Sequence, residues 1–296
     1  MSLRDFAVIL MVCLLWALNI VLSRVVIADM GAPPLFFAAA RFGLVALVTL
    51  PWLLPMPRPQ WRLLAVALLM GAGNFALMFI GLKTASPSSV AVVSQLGVPI
   101  ITLLSVVMLG ETIRWRRGLG ILLSLAGVLL VMWDPHGLKL SAGLMFVVAG
   151  AFAGSLGAVM MKQIEWVKPL QFQAWVGFAS VWPLLALSFA IEPGAPAAAG
   201  AAGWPLLGAV VFSALMVSVV AHTAYYWLIQ RYDANLIAPL TLMSPLMTIL
   251  LGVSLTHDHF DMRIALGTVV TLCGVMVIAL RPSRIVSRLL VLRNRD

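Results

Sequence analysis

The sequence predicts an all-α integral membrane protein of ten transmembrane helices, arranged as two inverted five-helix repeats with both termini inside. Three observations carry this prediction. Of 296 residues, 62% are apolar and only 10% charged, with a mean hydropathy of +1.08, where a soluble domain carries about 25% charge. Apolar runs long enough to cross about 30 Å of hydrocarbon recur along the whole chain, separated by short connections. The second half repeats the patterns of the first at a nearly constant offset. A nucleic-acid binder is excluded despite the net charge of +9, because loop charge in such a chain sets topology. Cys13 and Cys273 both fall inside apolar runs, so no disulfide framework is implied.

The first helix, roughly 6–27, is interrupted by Asn19, Ser23 and Arg24 and lacks a small-residue cleavage site before Ala32-Pro33-Pro34, so it reads as a retained span and not a secretory signal. The second, roughly 34–54, carries Arg41, placed with Arg24 near the outer ends. Snorkelling toward headgroups is expected of both; a gate or an attraction point for carboxylates at a cavity mouth is the alternative. The third, roughly 61–82, sets Gly71, Asn74 and Met78 on one face. The fourth, roughly 88–110, holds Gln95, Pro99 and Thr102 and ends at Leu109-Gly110-Glu111, where Glu111, Arg114, Arg116 and Arg117 form a charged anchor. The fifth, roughly 117–133, carries a small-residue stripe of Gly120, Ser124 and Gly127 for close helix packing. The sixth and seventh, roughly 141–161 and 170–191, lead into an Ala/Pro/Gly linker at 192–203. The eighth, roughly 204–229, presents Ser218, His222 and Tyr225 or Tyr226. The ninth, roughly 236–255, holds Thr241, Pro245 and Thr248, and the tenth, roughly 264–280, repeats the small stripe as Gly267, Thr271 and Gly274. The remaining 282–296 is a basic tail whose weak amphipathic pattern suits an anionic inner leaflet.

Placing the N-terminus inside puts fourteen of the nineteen Lys and Arg residues on inside segments, which the positive-inside rule favours. Lys83 matches Arg231 and Asn74 matches His222 at an offset of 148; Gly120, Ser124 and Gly127 match Gly267, Thr271 and Gly274 at 147. Five spans per repeat is an odd number, so the halves must insert with opposite orientation. Gln95-Pro99-Thr102 and Thr241-Pro245-Thr248 share one spacing. Proline removes its own N–H and frees the carbonyl four residues earlier, so each helix should weaken at Gln95 and Thr241. Paired interrupted helices in inverted repeats are a transporter signature.

The run Trp16 to Arg24, Arg41, the stretch Pro99 to Glu111 and the Gly120 to Gly127 helix resemble the EamA repeat of the drug/metabolite transporter superfamily. The resemblance covers residues 1–135 and 136–281 as two copies and is most similar to exporters of aromatic amino acids of the YddG type. It implies a secondary exporter of small amphipathic metabolites, amino acids among them, in a bacterial cytoplasmic membrane. The second copy departs from the pattern at Thr256-His257-Asp258 and at Gly154, which stands where the first copy has Trp16.

Polar groups within spans are expensive in lipid, so they should face a cavity or a partner helix. The expected substrate-binding set is Trp16, Asn19, Asn74, Phe75, Met78, Phe79, Gln95, His222, Tyr225, Tyr226 and Thr241, with helix kinks at Pro99 and Pro245. Interhelical hydrogen bonding is the alternative for Asn19 and Ser218. A mostly apolar and aromatic lining with a few polar groups suits an amphipathic metabolite, and adaptable Met suits a range of side chains. No phosphate-binding G-x-x-x-x-G-K-[ST] run occurs, so no ATP is expected and movement down a gradient is. His222 is the single candidate proton carrier within a span. No cofactor is expected; the implied partners are a small-molecule substrate and the lipid bilayer, with monomer and homodimer equally compatible. Two other carriers of the same architecture, for drugs and for other metabolites, remain alternatives, as does an intramembrane enzyme using His257, Asp258, His259 and Asp261 as metal ligands, although that segment reads as a solvated turn.

Overall fold

A computed structural model describes residues 1–110, 112–113, 115–134, 139–164, 167–232 and 234–279. Glu111, Arg114, Glu165, Asp233 and the basic tail 282–296 lie outside the described residues. Ten apolar helices run through the rest: α1 (Leu3–Asp29), α2 (Pro34–Trp52), α3 (Gln60–Leu82), α4 (Pro87–Leu109), α5 (Trp115–Met132), α6 (Ala142–Met161), α7 (Pro169–Ile191), α8 (Ala195–Ile229), α9 (Pro239–Leu255) and α10 (Met262–Ala279). Nine are long and apolar enough to cross a membrane and α9 is shorter, so the chain is a multi-pass membrane protein. A two-residue antiparallel ladder, Trp133–Asp134 against Lys139–Leu140, ties the end of α5 to the start of α6.

Local sequence explains where helices begin. Ser2, Ser86, Ser141 and Asp261 each accept a backbone N–H of the first turn, satisfying a donor that the helix itself cannot. The segment 192–203, expected to be a linker, is helical from Ala195 onward. Its alanines are the strongest helix formers, and Pro196 is tolerated in a first turn. A break does occur within it, at Gly203 (φ 60, ψ −143), a backbone conformation that favours glycine.

The two small-residue stripes meet one another. A Cβ added to Gly120 would stand 2.7 Å from the Gly274 carbonyl oxygen, and one added to Gly127 would stand 2.6 Å from that of Gly267. With Gly120 against Gly274 and Gly127 against Gly267, α5 and α10 run antiparallel. Since Gly120 is the repeat mate of Gly267, and Gly127 of Gly274, the contact maps onto itself when the repeats are exchanged. Such self-complementary contact is what a two-fold relation produces, so the halves are inverted relative to each other. Other major pairings obey the same exchange: α2 packs on α7, α1 on α9, and α6 on α4.

Two carboxylates of the second repeat close helix starts of the first. Glu192, after α7, accepts from the Leu35 and Phe36 N–H groups at 2.8 and 3.0 Å and from the Ser188 hydroxyl at 2.7 Å. Asp258, after α9, accepts from the Ser88 N–H and hydroxyl at 2.9 and 2.6 Å, and its other oxygen from the Thr256 hydroxyl. The turn carrying His257, Asp258 and His259 is therefore a capping element, with Asp258 held by the start of α4 instead of standing in solvent. Among the described residues no cluster of three or more such side chains has metal-binding proximity.

Candidate functional site

Both proline-marked helices are interrupted. Regular structure in α4 stops at Ser94 and resumes at Gly97; in α9 it stops at Thr241 and resumes at Met243. The breaks fall one turn before Pro99 and Pro245, where the missing N–H deprives the ladder of a bond. The Gln95 carbonyl expected to be freed is instead taken by the Val98 N–H at 3.2 Å, because the chain tightens locally and shifts the acceptor to a nearer donor.

A second matched irregularity was not legible in the sequence. Leu69–Gly73 in α3 and Phe212–Ala221 in α8 are π-helical, and each ends immediately before Asn74 and His222, the repeat mates. A π-turn widens the helix and re-aims the next side chain, which is why such bulges concentrate at functional sites.

These irregularities surround a cavity of about 380 Å³ lined from α1, α3 and α4 of the first repeat and their mates α6, α8 and α9 of the second. Of the expected residues, Trp16, Asn19, Asn74, Phe75, Met78, Gln95, His222 and Pro245 line it. Phe79, Tyr225, Tyr226, Thr241 and Pro99 do not. Phe79 is wholly buried and packs on Phe37 and Phe75. Tyr225 stands edge-on to Trp16 with ring centroids 5.1 Å apart, and Tyr226 packs on Phe172 of α7 at 6.2 Å. Although i, i+3 and i+4 share one face of a helix, the two tyrosines stand behind the lining, Tyr225 against Trp16 and Tyr226 against Phe172 and Tyr225.

The polar groups differ in what they already hold. Asn19 accepts from the Ser213 hydroxyl at 2.7 Å, so it lines the cavity and bonds across helices at once. His222 donates from Nδ1 to the Val217 carbonyl at 2.7 Å, leaving Nε2 as an acceptor, and its ring lies 5.6 Å from that of Trp16. The Asn74 and Gln95 amides form no hydrogen bond within the described residues, although both face the cavity. α6 supplies Ala151, Gly154, Ser155 and Ala158, none of them in the expected substrate-binding set. Their smallness makes the room: a Cβ on Gly154 would stand 3.0 Å from the Asn74 amide nitrogen.

Arg41 is a correction. It does not snorkel at an outer end with Arg24, which pairs with Asp29 at 3.1 Å. It is fully buried between α2 and α8, where Nε and Nη2 both donate to the Ser218 hydroxyl oxygen at 3.2 and 3.0 Å. Its guanidinium lies 4.1 Å from the centroid of Phe75, 5.5 Å from Phe42 and 6.0 Å from Phe79. Nη1 has no hydrogen-bond partner, and no carboxylate lies within ion-pair distance among the described residues. The aromatic box recovers about 2 kcal/mol of cation–π attraction, against a desolvation penalty of several kcal/mol for a buried ion. Phe75, the ring on which the guanidinium rests, forms part of the cavity wall.

Comparison with known proteins agrees with this architecture. The chain is 27% identical over 292 residues to a protein of Salmonella typhimurium named "Probable amino-acid metabolite efflux pump", covering 94% of this chain and 95% of that one. It is 24% identical over 286 residues to the protein of the same name from Escherichia coli, with the same coverage. One solved crystal structure superposes with a TM-score of 0.65 at 20% identity, over 98% of this chain and 99% of the other, which shows the shared fold. The pattern of the EamA-like transporter family matches residues 5–133 and again 140–280. The chain accordingly belongs to the EamA-like transporter family.

Proposed function

We propose that this protein is a secondary exporter of small amphipathic metabolites, amino acids including aromatic and other neutral ones, in a bacterial cytoplasmic membrane. The observation that carries the reading is the cavity, built from three helices of one repeat and their three mates, with the Asn74 and Gln95 amides unpaired among the described residues in a mainly apolar lining. Such a lining accepts an apolar side chain while a few placed polar groups orient the charged end. Trp16, Asn19, Asn74, Phe75, Met78, Gln95 and His222 act as the contact set; Phe79, Tyr225, Tyr226 and Thr241 act behind them. The efflux-pump names of the two relatives support amino-acid metabolites as the substrate class.

In this reading residues 1–135 and 136–281 form the two repeats and 282–296 a cytoplasmic basic tail, with both termini inside. Alternating access follows from rocking of the halves about the cavity, hinged at the interrupted α4 and α9. Movement is downhill, since among the described residues the cavity wall holds no carboxylate and His222 is its single titratable side chain. The test is flux in proteoliposomes: purified protein should move labelled neutral amino acids down their gradient, and a Gln95→Ala/His222→Ala double variant should not. Flux of a lipophilic cation alone would transfer the assignment to a drug carrier, and uphill amino-acid flux on an imposed pH gradient would refute the downhill mechanism.

A further inference from the structure

We propose that Arg41 is the carboxylate-recognition group of this transporter, covered by Phe75 and reached by the substrate's carboxylate when that ring turns aside. The inference rests on the transport reading above and narrows its substrate class to metabolites bearing a free carboxylate. Four observations lead to it. The guanidinium is wholly buried and has no acidic partner among the described residues. Its Nη1 makes no hydrogen bond. Its two bonded nitrogens converge on a single oxygen, that of Ser218, so the fork that would grip a carboxylate is only partly used. The Phe75 ring, 4.1 Å from the guanidinium, is itself part of the cavity lining.

A purely structural pin between α2 and α8 needs one donor, which a neutral side chain supplies without the penalty of an uncompensated ion. A charge kept in this position is compensated by an anion that comes and goes. Among the described residues the cavity wall contains no acid that would repel one. A buried guanidinium favours carboxylate over its neutral isosteres because arginine stays charged and presents paired donors in the carboxylate plane.

The experiment measures binding and flux of L-phenylalanine, 3-phenylpropionate and L-phenylalaninamide by the full chain in proteoliposomes, for wild type, Arg41→Gln, Arg41→Lys and Ser218→Ala. Wild type should prefer the two free carboxylates over the amide by roughly ten- to a hundredfold, the weight of a charge-assisted hydrogen-bond pair. Arg41→Gln should bring that ratio close to one, and Arg41→Lys should keep part of it. Ser218→Ala should keep it in full, whereas a structural pin would make Ser218→Ala and Arg41→Gln equally damaging. A wild-type ratio near one overturns the proposal even if Arg41→Gln does not fold, and so does a folded Arg41→Gln with undiminished preference. Preference for phenylpropionate with no phenylalanine flux would refute the amino-acid reading alone. Equal flux of all three would refute the carboxylate site alone, and no binding of any probe would refute both.

Discussion

Replacing Gly127 by alanine tests the inverted-repeat contact directly. An added Cβ would stand 2.4 Å from the Thr271 hydroxyl oxygen, 2.5 Å from the Thr271 nitrogen and 2.6 Å from the Gly267 carbonyl oxygen. Two of these three atoms are backbone, so relief requires α5 and α10 to move apart and not merely a side-chain rotation. Gly118 in the same helix has nothing within 4 Å of the equivalent position, which makes Gly118→Ala the matched control. The gain in helix propensity on replacing glycine is to first order common to both variants and cancels between them. What is left is the overpacking cost, about 1–3 kcal/mol. Thermal unfolding in detergent, or titration with a denaturing detergent, should therefore show Gly127→Ala less stable than Gly118→Ala by that amount. Gly267→Ala, which meets the Gly127 carbonyl oxygen at 2.8 Å and Val131 Cγ2 at 2.5 Å, should behave like Gly127→Ala. Equal stability of Gly127→Ala and Gly118→Ala would refute the close antiparallel crossing and with it the packing basis of the two-fold relation.

Three further outcomes follow from the same geometry. Gly154→Leu should abolish amino-acid flux while leaving the protein folded by circular dichroism, because its side chain enters the cavity beside Asn74; normal flux would remove α6 from the site. Asn74→Ala should lower transport roughly ten- to a hundredfold, a hydrogen bond to a charged substrate being worth about 1.5–3 kcal/mol, whereas Tyr226→Phe should change it little; the reverse order in a flux assay would reverse their assigned places. Glu192→Ala leaves the Leu35 and Phe36 N–H groups without their acceptor and should cost about 1–2 kcal/mol of stability, with Glu192→Gln in between; melting temperatures that do not fall would show that the start of α2 does not depend on it.

Composition and periodicity determine the class of this molecule because they report its solvent. Long apolar runs, the helix breaks expected one turn before Pro99 and Pro245, and the matched stripes at Gly120 and Gly267 are local or self-similar features, readable without knowing which helices touch. Asn74 and His222 could be paired for the same reason, being the same position of a duplicated unit. The neighbours of a side chain are another matter. Arg41 reads as a charge near a helix end until α2 is seen packed against α8 through Ser218, 177 positions away, and the Glu192 and Asp258 caps close helices 156 to 170 residues distant. Tyr225 and Tyr226 share the sequence signal of cavity residues yet stand behind the wall, while the small Gly154 and Ser155, outside the expected binding set, line it. In lipid, a buried polar group must find its partner on another helix, so the site is decided by which helices meet, a property of the whole packing that no local stretch of sequence encodes.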